Sequence, residues 1–340
     1  MKILVTGGAG YIGSHAAITL LDQGHEVTVV DNLYRGHRGA AERLAAAGGA
    51  RFRFAEMDLA DTAGLARVMR ERGIELVMHF AALAYVGESV EKPRDYFRTN
   101  TAGGLSLLDA MAAAGVRRLV FSSTCATYGE PEDRFIPIAE STPQQPINPY
   151  GRSKLQFEEI LRAEVANPKD PAPLAVVALR YFNVAGCDAK GRVGEDHRPE
   201  SHLIPICLEV ALGKRERLSI FGEDYPTPDG TCIRDYVHVE DLIGAHLRAI
   251  PALAPGRFQT WNVGIGRGYS VREVLESCRR VTGHPIPAVS AQRRAGDPPR
   301  LFADPTAIRR DLGWEAKWTD LDAIVASAWN WFKANPRGYA

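Results

Sequence analysis

A chain of 340 residues, 45% hydrophobic and 24% charged, has the composition of a globular protein with about two domains, far from the disordered and membrane extremes. Lys and Arg total 41 and so do Asp and Glu, which excludes a global field favouring nucleic acid or an anionic membrane. Five cysteines with no CxxC pair, no metal-ligand spacing with histidine and an odd count argue against a disulfide framework.

No metal site is expected, and the short apolar start MKILVTGG is no secretory signal, so a soluble, cytoplasmic protein is expected. In chain order, the runs KILVTG, EVTVVDN, FRFAEMD, LVMHFAA, RLVFSST and LAVVALRYF each read as a strand buried on both faces. Between them lie helical patterns, among them YIGSHAAITLLDQG ending on Gly24 and YFRTNTAGGLSLLDAMAAAG ending on Gly115. Strand and helix in alternation predict an α/β fold whose parallel sheet is covered on both faces. After about residue 185 the rhythm is lost in GCDAKGRVGEDHRPE, which predicts domains over 1–185 and 186–340, with some later segments returning to the first. The second half has helical pieces near SHLIPICLEVALG, VEDLIGAHLRAI and SVREVLESCRRVTG; in the last, Ser270 and Glu273 form a capping-box pattern and Gly283 a stop.

VTGGAGYIG sets Gly7, Gly10 and Gly13 directly after the first strand and at the opening of the first helix. Glycines there let the backbone turn tightly and approach a pyrophosphate, whose charge then faces the positive helix end. The second strand ends in Asp31, 18 residues beyond Gly13, where a carboxylate can take both adenosine ribose hydroxyls and repels a 2′-phosphate, favouring NAD over NADP. Asp58, at the end of the third strand, either reaches the adenine or, with Asp61, caps a helix.

PYGRSK puts Tyr150 and Lys154 four apart, on one side of a helix. Bringing a phenol from ~10 to near 7 takes roughly 4 kcal/mol. One ammonium at ~4 Å supplies about that much at an effective dielectric constant of 20.

The motifs TGGAGYIGSH, VVDNL, HFAALAYVGES, FSSTCATYGE, PINPYGRSK, LRYFNVAG, DGTCIRDYVHV, WNVGIGRGYSV and RRAGD run through nearly the whole chain. In combination they resemble the extended short-chain dehydrogenase/reductases, and within them the UDP-glucose 4-epimerases, with the plant-type UDP-arabinose 4-epimerases also close. The resemblance implies a Rossmann-type doubly wound sheet that binds NAD, and a smaller C-terminal α/β domain that binds the nucleotide sugar. Besides Gly7, Gly10, Gly13, Asp31 and Asp58, it assigns Tyr11, Ile12, Asn32, Leu33, Leu59, Phe80, Ala81, Ala82, Asn100, Ser122 and Tyr181 to the cofactor, together with Tyr150 and Lys154. Thr124, Tyr150 and Lys154 are the implied catalytic residues. Asn183, His202, Leu203, Phe221, Arg234, Arg294, Asp297 and Leu301 are implied to hold the substrate, along with Thr124 and Tyr150. A homodimer formed through two helices of the first domain is implied as well.

The same resemblance interprets FSSTCATYGEP. In related 4,6-dehydratases an Asp and a Glu follow the threonine and eliminate water; here Cys125 and Ala126 stand there, which leaves Thr124 to relay a proton. Three positions depart from many relatives: Ala84 replaces a lysine, His202 replaces an asparagine, and Leu301 has an intermediate size where bulk excludes N-acetylated sugars. The expected substrates are therefore UDP-glucose and UDP-galactose first, UDP-xylose and UDP-arabinose second, and UDP-N-acetylhexosamines third. A nucleotide-sugar dehydratase or reductase and a non-catalytic dinucleotide sensor are the competing readings.

Overall fold

The computed structural model describes residues 1–294 and 297–339. All six apolar runs form strands: β1 (Lys2–Thr6), β2 (Glu26–Asp31), β3 (Phe52–Glu56), β4 (Leu76–His79), β5 (Arg118–Thr124) and β6 (Ala175–Tyr181). With a seventh strand, Phe258–Val263, they make one parallel sheet in the order Phe258–Val263, β6, β5, β4, β1, β2, β3. The central strands have apolar residues on both faces because both faces are covered: Ile3, Leu4, Val5, Leu76 and Val77 are all inaccessible to solvent. Strand order reverses between β1 and β4, the point at which open α/β sheets bind ligands beyond their carboxyl ends.

One expectation needs correction, and one strand was missed. β3 is not buried on both faces; it pairs only with β2 at the edge of the sheet, and Arg53 and Glu56 are exposed. The seventh strand did not stand out because it is the opposite edge, and Phe258, Gln259 and Thr260 are only half-buried.

Contacts divide the chain into two units. The first comprises residues 1–129, 144–180 and 245–261. On one face of its sheet, Leu65 and Met69 of the helix Thr62–Arg72, Leu107 and Met111 of Gly103–Ala114, and Phe157 and Leu161 of Pro149–Val165 pack against Leu4, Val77, Leu119 and Phe121. A fully buried side chain such as Phe157 contributes roughly 1.5–3 kcal/mol. The helix Pro149–Val165 starts sharply because Asn148 accepts a hydrogen bond from Gly151 N at 2.8 Å and Pro149 occupies its first turn.

The second unit comprises residues 130–143, 181–244 and 262–340. Its strands are short: Asn183–Ala185 pairs with Tyr236–His238, Leu218–Phe221 with Ala288–Ala291, and Ile233–Arg234 lies between Tyr269–Ser270 and Arg300–Leu301. Its core joins Leu208 and Cys207 of the helix Leu203–Ala211, Leu275 and Cys278 of Val271–Thr282, and Ile324 and Trp331 of Leu321–Ala334. The expected capping box is present, with Ser270 and Glu273 bonding each other's backbone N–H, and Gly283 ends that helix in the left-handed conformation. Buried Asp235 accepts from Ile265 N, Gly266 N and Ala303 N, which fixes the strand that carries Arg234. All five cysteines are free and buried. Among the described residues, no helix is long and apolar enough to cross a membrane.

Candidate active site

The turn after β1 is shaped by its glycines. Gly7 has φ +69°, and a Cβ there would lie 2.6 Å from Ala81 N; a Cβ on Gly13 would lie 2.1 Å from Gly7 O. Neither neighbour is a side chain that could yield, so the loop and the helix Tyr11–Asp22 approach as closely as only glycine permits. Gly10 caps that helix with no side-chain cap and no acid in the first turn, which leaves its N–H groups for an anion.

Asp31 ends β2 and accepts from Ala9 N at 3.0 Å and Leu33 N at 2.8 Å. Burial pushes its carboxyl above the usual value, and the two backbone N–H groups pull against that. Leu33 has φ +57°, a left-handed conformation held beside this carboxylate. Asn32 Nδ2 donates to Asp58 at 2.6 Å. Asp58 lies beyond the end of β3 and does not cap a helix; Asp61 does, accepting from Gly64 N. The glycine cradle, the uncapped helix end and the Asp31 carboxylate fit the pyrophosphate and adenosine ribose of NAD.

The remaining residues expected at the cofactor divide between surface and scaffold. Phe80, Ala81 and Ala82 are half-buried just past β4, as is Ile12 in the first helix turn, and the Phe80 ring lies 4.9 Å from His246. Tyr11 and Leu59 are buried, Leu59 in the core under the sheet. Asn100 lies in a π-helical turn, Phe97–Ala102, and its amide bonds Leu83 N, Leu83 O and Ser153 Oγ. It ties the loop after β4 to the helix that carries Tyr150. Tyr181 is half-buried at the end of β6.

Tyr150 and Lys154 are both buried on the helix Pro149–Val165, and Tyr96 meets the Tyr150 ring edge-on at 6.4 Å. Lys154 does not reach for solvent: its Nζ donates to Ser122 O at 2.9 Å and lies 4.9 Å from the centre of the Phe121 ring. Desolvation pulls its ammonium down to about 7, with the Glu158 carboxylate pulling the other way. His79, also buried, is held near 3 by burial first and Lys154 second, so it stays neutral. Such a lysine is stabilised by an anion beside it. A phenolate from Tyr150 would return the proton to Lys154, and the pair would titrate as a unit. Thr124 ends β5, its Oγ1 accepting from Ala126 N at 3.1 Å, and the turn Cys125–Thr127 that follows contains no carboxylate.

The lowered lysine value has a consequence for stability. Between about 7 and its ordinary value the unfolded chain binds a proton that the folded chain lacks, so this group makes stability rise with pH across that window. Below about 7 the folded chain carries the buried charge at a cost of roughly 5 kcal/mol. Lys154→Met is expected to melt several degrees above the parent at pH 6, with the gap closing toward pH 9, and to lose turnover at both. Thermal scans at the two pH values check this.

In the second unit, the Arg294 guanidinium lies 3.9 Å over the Phe221 ring, and Arg234 pairs with Asp297 at 3.4 Å while its strand pairs in register with Leu301. Leu301 is buried. Ala295 and Gly296 of the RRAGD motif lie outside the described residues. Asn183 is half-buried and donates its N–H to Asp235 O at 2.9 Å. His202 precedes the helix begun by Leu203, and Glu200 draws its Nδ1 to 2.8 Å.

Two clusters escaped the sequence reading. Glu158, fully buried one turn beyond Lys154, takes two bonds from buried Arg180 at 2.9 and 2.6 Å and one from Ser123 Oγ at 2.5 Å. Arg180 also donates to Tyr128 Oη and Gln144 Oε1. Burial alone would raise the Glu158 carboxyl; the hydrogen bonds and charge of Arg180 outweigh it and hold the group below its usual value. Only the apolar setting of one acid in LQFEEIL hinted at it. The other cluster is Glu195, His197, Glu200 and His202, whose signal was the spacing in EDHRPESH.

The sequence pattern of the NAD dependent epimerase/dehydratase family matches residues 3–264. The UDP-glucose 4-epimerase of Halalkalibacterium halodurans is 50% identical over 341 residues, covering 100% of this chain and 98% of that protein. UDP-arabinose 4-epimerase 1 of Arabidopsis thaliana is 45% identical, covering 99% of this chain and 80% of that one. The crystal structure of UDP-glucose-4-epimerase from Stenotrophomonas maltophila with bound NAD and formylated UDP-arabinopyranose superposes with a TM-score of 0.92 at 42% identity, covering 99% of each chain. With the glycine cradle after β1 and a match over most of its length, the chain belongs to the NAD dependent epimerase/dehydratase family.

Proposed function

We propose that this protein is an NAD-dependent UDP-sugar 4-epimerase that interconverts UDP-glucose and UDP-galactose through a transient 4-keto sugar. The observation that carries the reading is the buried Tyr150 and Lys154 pair, together with a strand that ends in Thr124 followed by Cys125 and Ala126. The pair can remove a hydroxyl proton, and no neighbouring acid or base is present in that turn to eliminate water.

When bound, NAD supplies the hydride acceptor and donor at C4. Tyr150 as phenolate takes the 4′-hydroxyl proton, Lys154 holds that phenolate charged, and Thr124 hydrogen-bonds the same oxygen. The proton then returns from Tyr150 after the keto sugar has turned over, so there is no net redox change. Arg234 and Arg294 suit the diphosphate, since guanidinium groups make paired, charge-assisted bonds to phosphate oxygens. A firm hold at the diphosphate, away from the reacting carbon, lets the sugar turn while the nucleotide stays. Asp297, which pairs with Arg234, would be displaced by phosphate or would orient the guanidinium.

Leu301 leaves more room than a large aromatic residue would, and a pentose lacks only the C6 hydroxymethyl, so UDP-xylose and UDP-arabinose form the second substrate pair. The 45% identity to a plant UDP-arabinose 4-epimerase supports this. A homodimer is part of the reading, supported by exposed Leu105 on the helix Gly103–Ala114. The test is to incubate the purified protein with UDP-galactose or UDP-xylose, with no cofactor added, and follow the anomeric protons by NMR. Formation of UDP-glucose and UDP-arabinose is expected, the hexose reaction being the faster. Loss of water from the sugar, or no conversion of any UDP-sugar by protein that holds NAD, would overturn the proposal.

A further inference from the structure

We propose that Glu195, His197, Glu200 and His202 form a binding site for one divalent transition-metal ion of the zinc class. Each residue offers one ligand atom, and the four atoms lie within 4.8 Å of one another. His197 Nδ1 is 3.2 Å from Glu195 Oε1 and 3.4 Å from Glu200 Oε2; His202 Nδ1 is 3.6 Å from Glu195 Oε1 and 2.8 Å from Glu200 Oε1. A tetrahedral ion with bonds of about 2.0–2.1 Å holds its ligand atoms about 3.3 Å apart. With Glu200 Oε2 as that residue's ligand atom, three edges of the polyhedron, at 3.2, 3.4 and 3.6 Å, are already near the required length.

Charge and donor type point the same way. The side chains of Glu195 and Glu200 are both 3% exposed, and both face the imidazoles of His197 and His202. With both rings unprotonated, as ligation requires, the two buried carboxylates and one divalent cation sum to zero charge. Two nitrogen and two oxygen donors suit zinc, cobalt or nickel; calcium and magnesium prefer all-oxygen shells. A cavity of about 220 Å³, lined by Glu195, His197, Glu200, Lys214, Trp331 and Arg337 among others, gives the ion a route in. The ion would join the irregular segment after residue 186 to the residue that precedes the helix Leu203–Ala211. That residue is His202, so metal occupancy would fix the orientation of its ring.

The test uses the full-length protein, dialysed against a chelator and titrated with zinc chloride by calorimetry, and separately with cobalt chloride by visible absorption. The expected results are one zinc per chain, the intense visible bands of tetrahedral cobalt, a melting temperature that rises with zinc, and at least tenfold weaker binding in His197→Gln and in Glu200→Gln. No binding to the parent chain, a weak six-coordinate cobalt spectrum, or thiolate charge-transfer bands from the buried cysteines would overturn the assignment. So would unchanged affinity in both variants. The titrations of the parent chain decide the question even if a variant fails to fold.

Discussion

Tyr150→Phe is expected to lower kcat by two to four orders of magnitude while the protein still binds NAD. The substitution removes one oxygen from a buried ring that otherwise packs unchanged against Tyr96. General-base catalysis by a positioned side chain is worth about 10²–10⁴-fold. No residue of the glycine cradle is touched, so the absorbance of bound NAD should match that of the parent. Lys154 in this variant keeps its Ser122 carbonyl and loses the anion that would hold its proton. Steady-state rates and cofactor content measured on one preparation check both halves. Turnover equal to the parent's would remove Tyr150 from the role of base.

Glu158→Ala carries the largest expected effect on stability. Its carboxylate is fully buried and compensates an Arg180 side chain that is only 2% exposed. Truncating one partner of such a pair leaves a buried charge uncompensated and costs about 3–5 kcal/mol. In a protein of this size that corresponds to a fall in melting temperature of roughly 4–7 °C. The network also reaches the chemistry, because Ser123, which donates to Glu158, is covalently next to Thr124, and Glu158 lies one turn from Lys154. Turnover at a temperature where the variant is fully folded is therefore expected to fall as well. Thermal unfolding of Glu158→Ala, with Glu158→Gln alongside, checks this. Because Gln keeps hydrogen-bonding atoms but not the charge, it should recover part of the loss. A melting temperature within a degree of the parent's in both variants would show that Arg180 is compensated elsewhere.

What could be read from the sequence follows from how local each signal is. β1, β2 and β4 to β6 were legible because strands of a parallel sheet covered on both faces are contiguous apolar runs, and the glycine array was legible because its geometry is set within a few residues. Phe258–Val263 was hidden because an edge strand with half-buried Gln259 and Thr260 lacks that run, and it pairs with a strand some eighty residues earlier. Tyr150 and Lys154 share a helix face and were recognisable by spacing. Glu158 and Arg180 are joined only by the fold, so the network that supports the pair was not. The Asn100 amide bonds Leu83 and Ser153, contacts that no local pattern announces. EDHRPESH lies where the strand and helix rhythm is lost, and nothing local shows that the fold buries Glu195 and Glu200.

In the proposed reaction one hydride leaves C4 of the sugar and returns to the same carbon without leaving the protein. UDP-galactose carrying deuterium at C4, incubated with the purified protein in ordinary water and with no added cofactor, tests it directly by mass spectrometry and NMR of the product. The expected product is UDP-glucose that keeps its deuterium at C4, with no NADH released into solution. Replacement of that deuterium by solvent hydrogen would show that inversion proceeds by proton exchange, and would contradict hydride transfer at C4.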